Sequence, residues 1–197
     1  MSNPSSIYHD PTDFSREREF TISVFTENNI GLLNHITVVF TRRNLNINSL
    51  TTSESEIKGI YRFTITIKTT RDTVEKLVKQ LEKIVDVIKA FVYEEKEVIA
   101  QEIALYKIPI KAAQNGLHVE QIVRDSNARI LAIEAGYIVI EKTGTQKETQ
   151  RLFEKLEPHG VLEFVRSGRV AVTRSMHNLD AFLKEIEKNS VNHQKTN

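Results

Sequence analysis

The chain has 197 residues, 40% of them apolar and 27% charged, with a net charge of +1 and no cysteine. Such values describe an ordinary soluble globular protein of one or two domains, and the balanced charge argues against nucleic-acid binding, which normally leaves a basic excess. The missing thiols exclude disulfides, thiolate zinc sites and cysteine nucleophiles, and no apolar run approaches the roughly 20 residues that span a bilayer.

Residues 1–15 are polar and aperiodic, with Pro4 and Pro11, and read as a flexible tail reaching to about residue 17. The same stretch lacks the basic and apolar regions of a secretory signal. A strand is expected over 18–26, where Phe20, Ile22 and Val24 alternate with Thr21 and Ser23. A polar knot, Glu27-Asn28-Asn29, and Gly31 then hand over to a helix at about 32–43, with Leu33, Ile36 and Phe40 as its apolar stripe and Leu32 and Val39 beside it. A strand from about Asn46 to Ser53 turns back at Gly59. In "IYRFTITIK", Tyr61, Phe63, Ile65 and Ile67 share one face, and Arg62, Thr64, Thr66 and Lys68 the other. A second helix starts near Asp72, a good cap, and carries Val74, Leu77, Val78 and Leu81. The strand "VDVIKAFVYE" closes a β-α-β-β-α-β order.

That order recurs. "EVIAQEIALYKIPI" is a long strand ended by Pro109, followed by a helix at about 117–126 with Val119, Ile122 and Val123. Two strands in "ARILAIEAGYIVIEKTG" turn at Gly136, and Thr145 and Glu148 form a capping box for a helix carrying Leu152, Phe153 and Leu156. Pro158-His159-Gly160 stops it. "VLEFVRSGRVAVTRS" is the closing strand, with Gly168 as a point of breakage, and a short helix, "LDAFLKEIEK", follows. The fold class is therefore α+β: two ferredoxin-like domains, at 18–95 and 96–176, a tail before them, and a helix and tail at 177–197. In each domain two helices cover one face of a four-stranded sheet. The other face meets water or another sheet, and the unpaired edges favour assembly into a homodimer or larger.

No catalytic constellation is evident. The six histidines include no pair spaced three or four apart, and neither a P-loop nor G-x-S-x-G nor G-x-G-x-x-G occurs. "KGIYRFTI" approaches an RNA-binding pattern, but its aromatics Tyr61 and Phe63 have the parity of the helix-covered face. The loop before the first helix is more informative. A helix N-terminus offers free N–H groups and partial positive charge to a carboxylate, and Gly31 permits close backbone approach. Asn28 both donates and accepts. No lysine or arginine lies in 24–36, so an amino-acid zwitterion suits the site better than a phosphate. Its side chain would meet Leu32, Leu33 or Ile47 of a partner chain.

"ENNIGLLNHI" at a strand–helix junction resembles the ligand loop of ACT domains, which bind amino acids at dimer interfaces. The ordered set "FTENNIGLLNHITVVFTRRNLNINSL", "KLVKQLEKIVDVIKA", "EIALYKI", "IVIEKTG" and "GVLEFVRSGRVAVTRS" is similar to the landmarks of the acetolactate synthase small subunits, over about residues 20–175. The resemblance implies a cytoplasmic regulatory subunit of branched-chain amino-acid biosynthesis. Such a subunit activates a separate catalytic subunit, which carries thiamine diphosphate, magnesium and FAD, and confers feedback inhibition by valine. This chain would itself bind no cofactor or metal, nucleic acid or membrane. The resemblance places Asn28 and Gly31 on the effector, with Asn46 and Ile47 reaching it from the partner chain. Asn44 stands where the family usually has glycine, Gln101 where arginine is common, and 111–128 follows the pattern poorly. The alternative is a free-standing amino-acid sensor of the same domain type.

Overall fold

A computed structural model describes residues 16–114 and 118–175. The tail expected at 1–15, Gly116 and the helix expected over 179–188 lie outside the described residues. The first half runs β1 (Arg18–Glu27), α1 (Leu32–Thr41), β2 (Ile47–Glu54), β3 (Ile60–Thr69), α2 (Arg71–Leu81) and β4 (Val87–Glu94). Its antiparallel sheet has the order β2-β3-β1-β4, with β2 and β4 at the edges. A 3-10 turn, Glu95–Glu97, leads to the second half: β5 (Val98–Pro109), α3 (Ile110–Gln114), α4 (His118–Asp125), β6 (Arg129–Ile133), β7 (Tyr137–Gly144), α5 (Gln146–Leu156), β8 (Glu163–Arg166) and β9 (Val170–Thr173). Its sheet repeats the order as β6-β7-β5-β8, with β9 pairing the start of β5.

Alternation explains the first core. Phe20, Ile22 and Val24 of β1 and Phe63, Ile65 and Ile67 of β3 point under the helices and meet Val74, Leu77 and Leu81 of α2. Each side chain so buried contributes roughly 1.5–3 kcal/mol. The helix α1 presents Leu32, Ile36 and Phe40, spaced by four, whereas Leu33 is 47% exposed. The expected stripe through Leu33 is thus wrong by one residue. Leu32, Ile36 and Phe40 lie almost in line on one helix face, and the sheet takes that face. The second helix also starts earlier than expected: Thr70 is its cap, accepting from the Thr73 amide, and Asp72 lies in its first turn. Asn44 takes the left-handed conformation, with φ of 54°, that glycine would otherwise supply.

In the second half Tyr106, Ile108, Ile140, Leu152 and Leu156 form the core. The Thr145–Glu148 capping box is present as expected. The closing strand is broken where Gly168 suggested, into β8 and β9, and both pieces pair with β5. The register changes by one residue across the break: Ala104 faces Arg166, but Ala100 faces Ala171. This bulge swaps the side-chain parity between the two pieces.

The far face of the first sheet meets another sheet, one of the two expected outcomes, and that sheet belongs to the same chain. Thr21, Ser23, Thr64 and Thr66 of that face are all 5% exposed or less within one chain. The cover comes from the chain's own second half: Arg62 donates to the Ala171 carbonyl at 2.7 Å, and Thr51 to the Arg169 carbonyl at 2.8 Å. That face is therefore closed by β9, and β2 and β4 remain the edge strands of the first sheet. The far face of the second sheet stays open, with Ile103 and Val165 half exposed.

Candidate functional site

The loop between β1 and α1 is built by three local constraints. Strand β1 ends as the Glu27 amide donates to the Asp86 carbonyl at 3.0 Å. Asn29 then ties the loop down, its amide donating to the Asp86 carboxylate at 2.6 Å. Gly31 follows with φ of 85°, a conformation that costs an ordinary side chain roughly 1–2 kcal/mol. The chain thereby turns into α1 with no side chain capping the helix. The Leu32 amide donates to the Asn29 carbonyl, and Asn34 and His35 both donate to the Gly31 carbonyl. Asn28, Ile30 and Gly31 are exposed, so a ligand reaches the loop from solvent.

Electrostatically the site suits a zwitterion. The α1 N-terminus supplies partial positive charge toward a carboxylate. Glu27 and Asp86 supply carboxylates beside an ammonium, and Asn28 stands free at the surface. Leu33 offers exposed apolar surface, whereas Leu32, 4% exposed, belongs to the core. Leu32 was expected to touch the effector side chain; its side chain is committed to Ile36 and Phe40, and its backbone is what borders the loop. Just before the loop, Thr26 is fully buried and its hydroxyl has no partner.

Asn46 and Ile47 stand elsewhere in the same chain. Ile47 pairs with Ile67, which pairs with Phe20, so the start of β2 lies at the start of β1. Seven residues of strand, about 23 Å at roughly 3.3 Å per residue, separate that end from Glu27. The other end of β2, Glu54, faces Tyr61, which pairs with Thr26. One chain thus holds Asn28, Gly31, Leu32 and Leu33 together at one end of its sheet, and Asn46 and Ile47 at the other.

Sequence reasoning missed two residues of the loop. Asp86 accepts from both Glu27 and Asn29 across 57 or more positions, a pairing without a local signal. Ile30 projects fully into solvent, and a β-branched apolar residue amid polar neighbours was the available clue. Among the described residues no group of His, Asp and Glu is arranged to hold a metal ion, and no helix is long and apolar enough to cross a membrane.

Two βαββαβ units in tandem, the first opening its helix on a left-handed glycine, place the chain among two-domain proteins of ACT-like ferredoxin fold. Comparison with known proteins narrows the class. Residues 22–89 match the model of the acetohydroxyacid synthase small subunit-like ACT domain, and residues 101–175 match that of the small subunit of acetolactate synthase. The acetolactate synthase small subunit of Mycolicibacterium smegmatis is 34% identical over 161 residues, covering 82% of this chain and 94% of that protein. That of Bacillus subtilis is 32% identical over 154 residues, covering 78% and 89%. The crystal structure of the small subunit from Thermotoga maritima superposes with a TM-score of 0.74 at 28% identity, over 81% of this chain and 99% of that one. The chain belongs to the acetolactate synthase small subunit family.

Proposed function

We propose that this chain is the regulatory partner of an acetolactate synthase catalytic subunit, activating it and making it subject to feedback inhibition by valine. The chemistry, with thiamine diphosphate, magnesium and FAD, belongs to that partner, and the setting is cytoplasmic branched-chain amino-acid biosynthesis. One observation carries the effector assignment: an uncapped helix N-terminus behind a left-handed glycine, in a loop free of lysine and arginine. Valine's carboxylate meets the Leu33 amide at the α1 N-terminus, its ammonium meets Asn28 and the carboxylates of Glu27 and Asp86, and its side chain lies on Leu33.

The separation of Asn46 from this loop supports a site shared by two chains. Antiparallel pairing of two β2 edges sets the Asn46 end of one copy beside the Glu54 end of the other. That end of the sheet carries the loop of Asn28 and Gly31, so each of two equivalent sites takes its loop from one chain and Asn46 with Ile47 from the second. The free β2 edge makes such pairing sterically open.

Mixed dimers test this. Asn28→Ala and Asn46→Ala each remove hydrogen bonds to a charged ligand, worth about 1.5–3 kcal/mol, so each alone weakens valine binding about tenfold to a hundredfold. Co-assembled from differently tagged chains, the two variants leave one site intact and one doubly impaired. Calorimetry then finds wild-type affinity at half the stoichiometry. A mixed dimer as weak as its parents refutes the shared site, and unchanged inhibition of the reconstituted synthase by both variants refutes the effector assignment.

A further inference from the structure

The bulge between β8 and β9 lies far from the effector loop, yet it is lodged against the strand that begins with Asn46 and Ile47. Gly168 sits so close to β2 that a Cβ there would be 2.6 Å from the Thr51 methyl and 3.1 Å from the Leu50 carbonyl oxygen. Only glycine fits this approach. The next residue, Arg169, is gripped on three sides. Its carbonyl accepts from Thr51, its amide donates to the Ser49 hydroxyl at 3.4 Å, and its guanidinium donates to the Thr21 hydroxyl at 3.1 Å and pairs with Glu19 of β1. The partners are 118 to 150 positions away in the chain.

On its other side Arg169 reaches into the second half. Its Nε lies 4.0 Å from the Glu102 carboxylate of β5, whose side chain is 7% exposed. Glu102 is also 3.4 Å from Arg166, and Arg166 donates to the Thr149 hydroxyl in the first turns of α5. A continuous polar path thus joins Glu19 and Ser49 of the first sheet to α5 of the second domain. Inside this junction burial dominates: it holds the Glu102 carboxyl above its ordinary range despite Arg166 and Arg169. The parity swap at the bulge is what turns Arg169 toward the first sheet while Val170 and Val172 face solvent. Strand β2 is itself irregular between Ile47 and Ser49, immediately before the residues that hold the bulge.

We infer that the Gly168–Arg169 bulge is the coupling element through which occupancy of the effector site is felt by the second domain. This rests on the effector reading above. A ligand held by Asn46 and Ile47 loads the start of β2; Ser49 and Thr51, two to four residues on, bear on Arg169; and Arg169 and Arg166 carry the displacement to β5 and α5. Interfaces between domains of one chain are polar enough to move by default, so a specific wedge decides whether the halves shift together. Linkage makes the device reciprocal: whatever the second domain binds changes effector affinity through the same contact.

Arg169→Ala and Thr51→Val test it in the full chain. The valine change keeps the β-branched shape on an edge strand and removes only the hydroxyl, so it keeps the test open should the arginine variant not fold. Two readouts are taken. Hydrogen exchange of the free homodimer is expected to show faster exchange in both variants at Ser49 and Thr66 and, together with these, in the first turn of α5. Valine calorimetry and inhibition of the reconstituted synthase are expected to separate: binding persists, while the coupling, typically about 5- to 150-fold between linked sites, falls toward one. Unchanged exchange in α5, or inhibition of wild-type depth in both variants, overturns the inference. A wild-type chain indifferent to valine ends the effector reading instead, and the exchange arm still decides whether the bulge couples the halves.

Discussion

Gly31→Asp separates the charge of the loop from its shape. In the folded chain a Cβ at Gly31 meets nothing within 4 Å, so the substitution clashes with no part of its own chain. The backbone term is the left-handed φ of 85°, about 1 kcal/mol for aspartate, which tolerates that region better than most residues. For a domain pair of this size 1 kcal/mol lowers Tm by about 2–4 °C, so the chain stays folded. The ligand term is larger. A carboxylate about 4 Å from that of bound valine costs about 1 kcal/mol under water-like screening and about 4 kcal/mol at the effective dielectric of a protein surface. Valine affinity then falls roughly fivefold to several hundredfold. Gly31→Asn is the control: it has the same shape and the same tolerance of positive φ, without the charge. Calorimetry on the full chain and synthase rate against valine for the reconstituted pair measure the effect. If the aspartate variant binds valine as the asparagine variant does, no ligand carboxylate sits at the α1 N-terminus.

Sedimentation equilibrium should show a homodimer or larger at micromolar concentration, and a proline placed within β2 at Thr52 should weaken it; a monomer with and without valine refutes edge pairing. Tyr106→Phe removes a buried hydroxyl that donates to the Thr149 carbonyl at 2.6 Å, in surroundings whose burial pushes the phenol up to about 12. Its urea midpoint should fall with an unchanged m-value, corresponding to a loss of about 1 kcal/mol of stability. The Glu148 carboxyl is held below its ordinary value of 4.5 by the Thr145 amide and hydroxyl. A lowered folded-state value means that its stabilisation is present above pH 4.5 and is lost as pH falls through the lowered value. Glu148→Ala should therefore lower the denaturation midpoint at neutral pH and lose its effect once the pH has fallen below the lowered value.

Short windows of sequence determined the element order of both halves apart from α3, the strand faces of β1 and β3, the Thr145–Glu148 cap and the turn at Gly59, because periodicity, capping and glycine backbone freedom act over a few residues. The same local chemistry made the loop at Asn28–Gly31 stand out as a candidate carboxylate site. Only the tertiary structure decided that Leu32 and not Leu33 faces the core, since adjacent leucines satisfy the helical period equally well until the sheet selects one. It alone showed that Asn46 lies at the far end of the sheet from Asn28, a consequence of strand register. And it alone closed the far face of the first sheet. Thr21, Ser23, Thr64 and Thr66 alternate with apolar residues just as solvent-facing side chains do, but their solvent is Arg169 and β9, delivered from more than 100 positions away by contacts that leave no periodic trace in the chain.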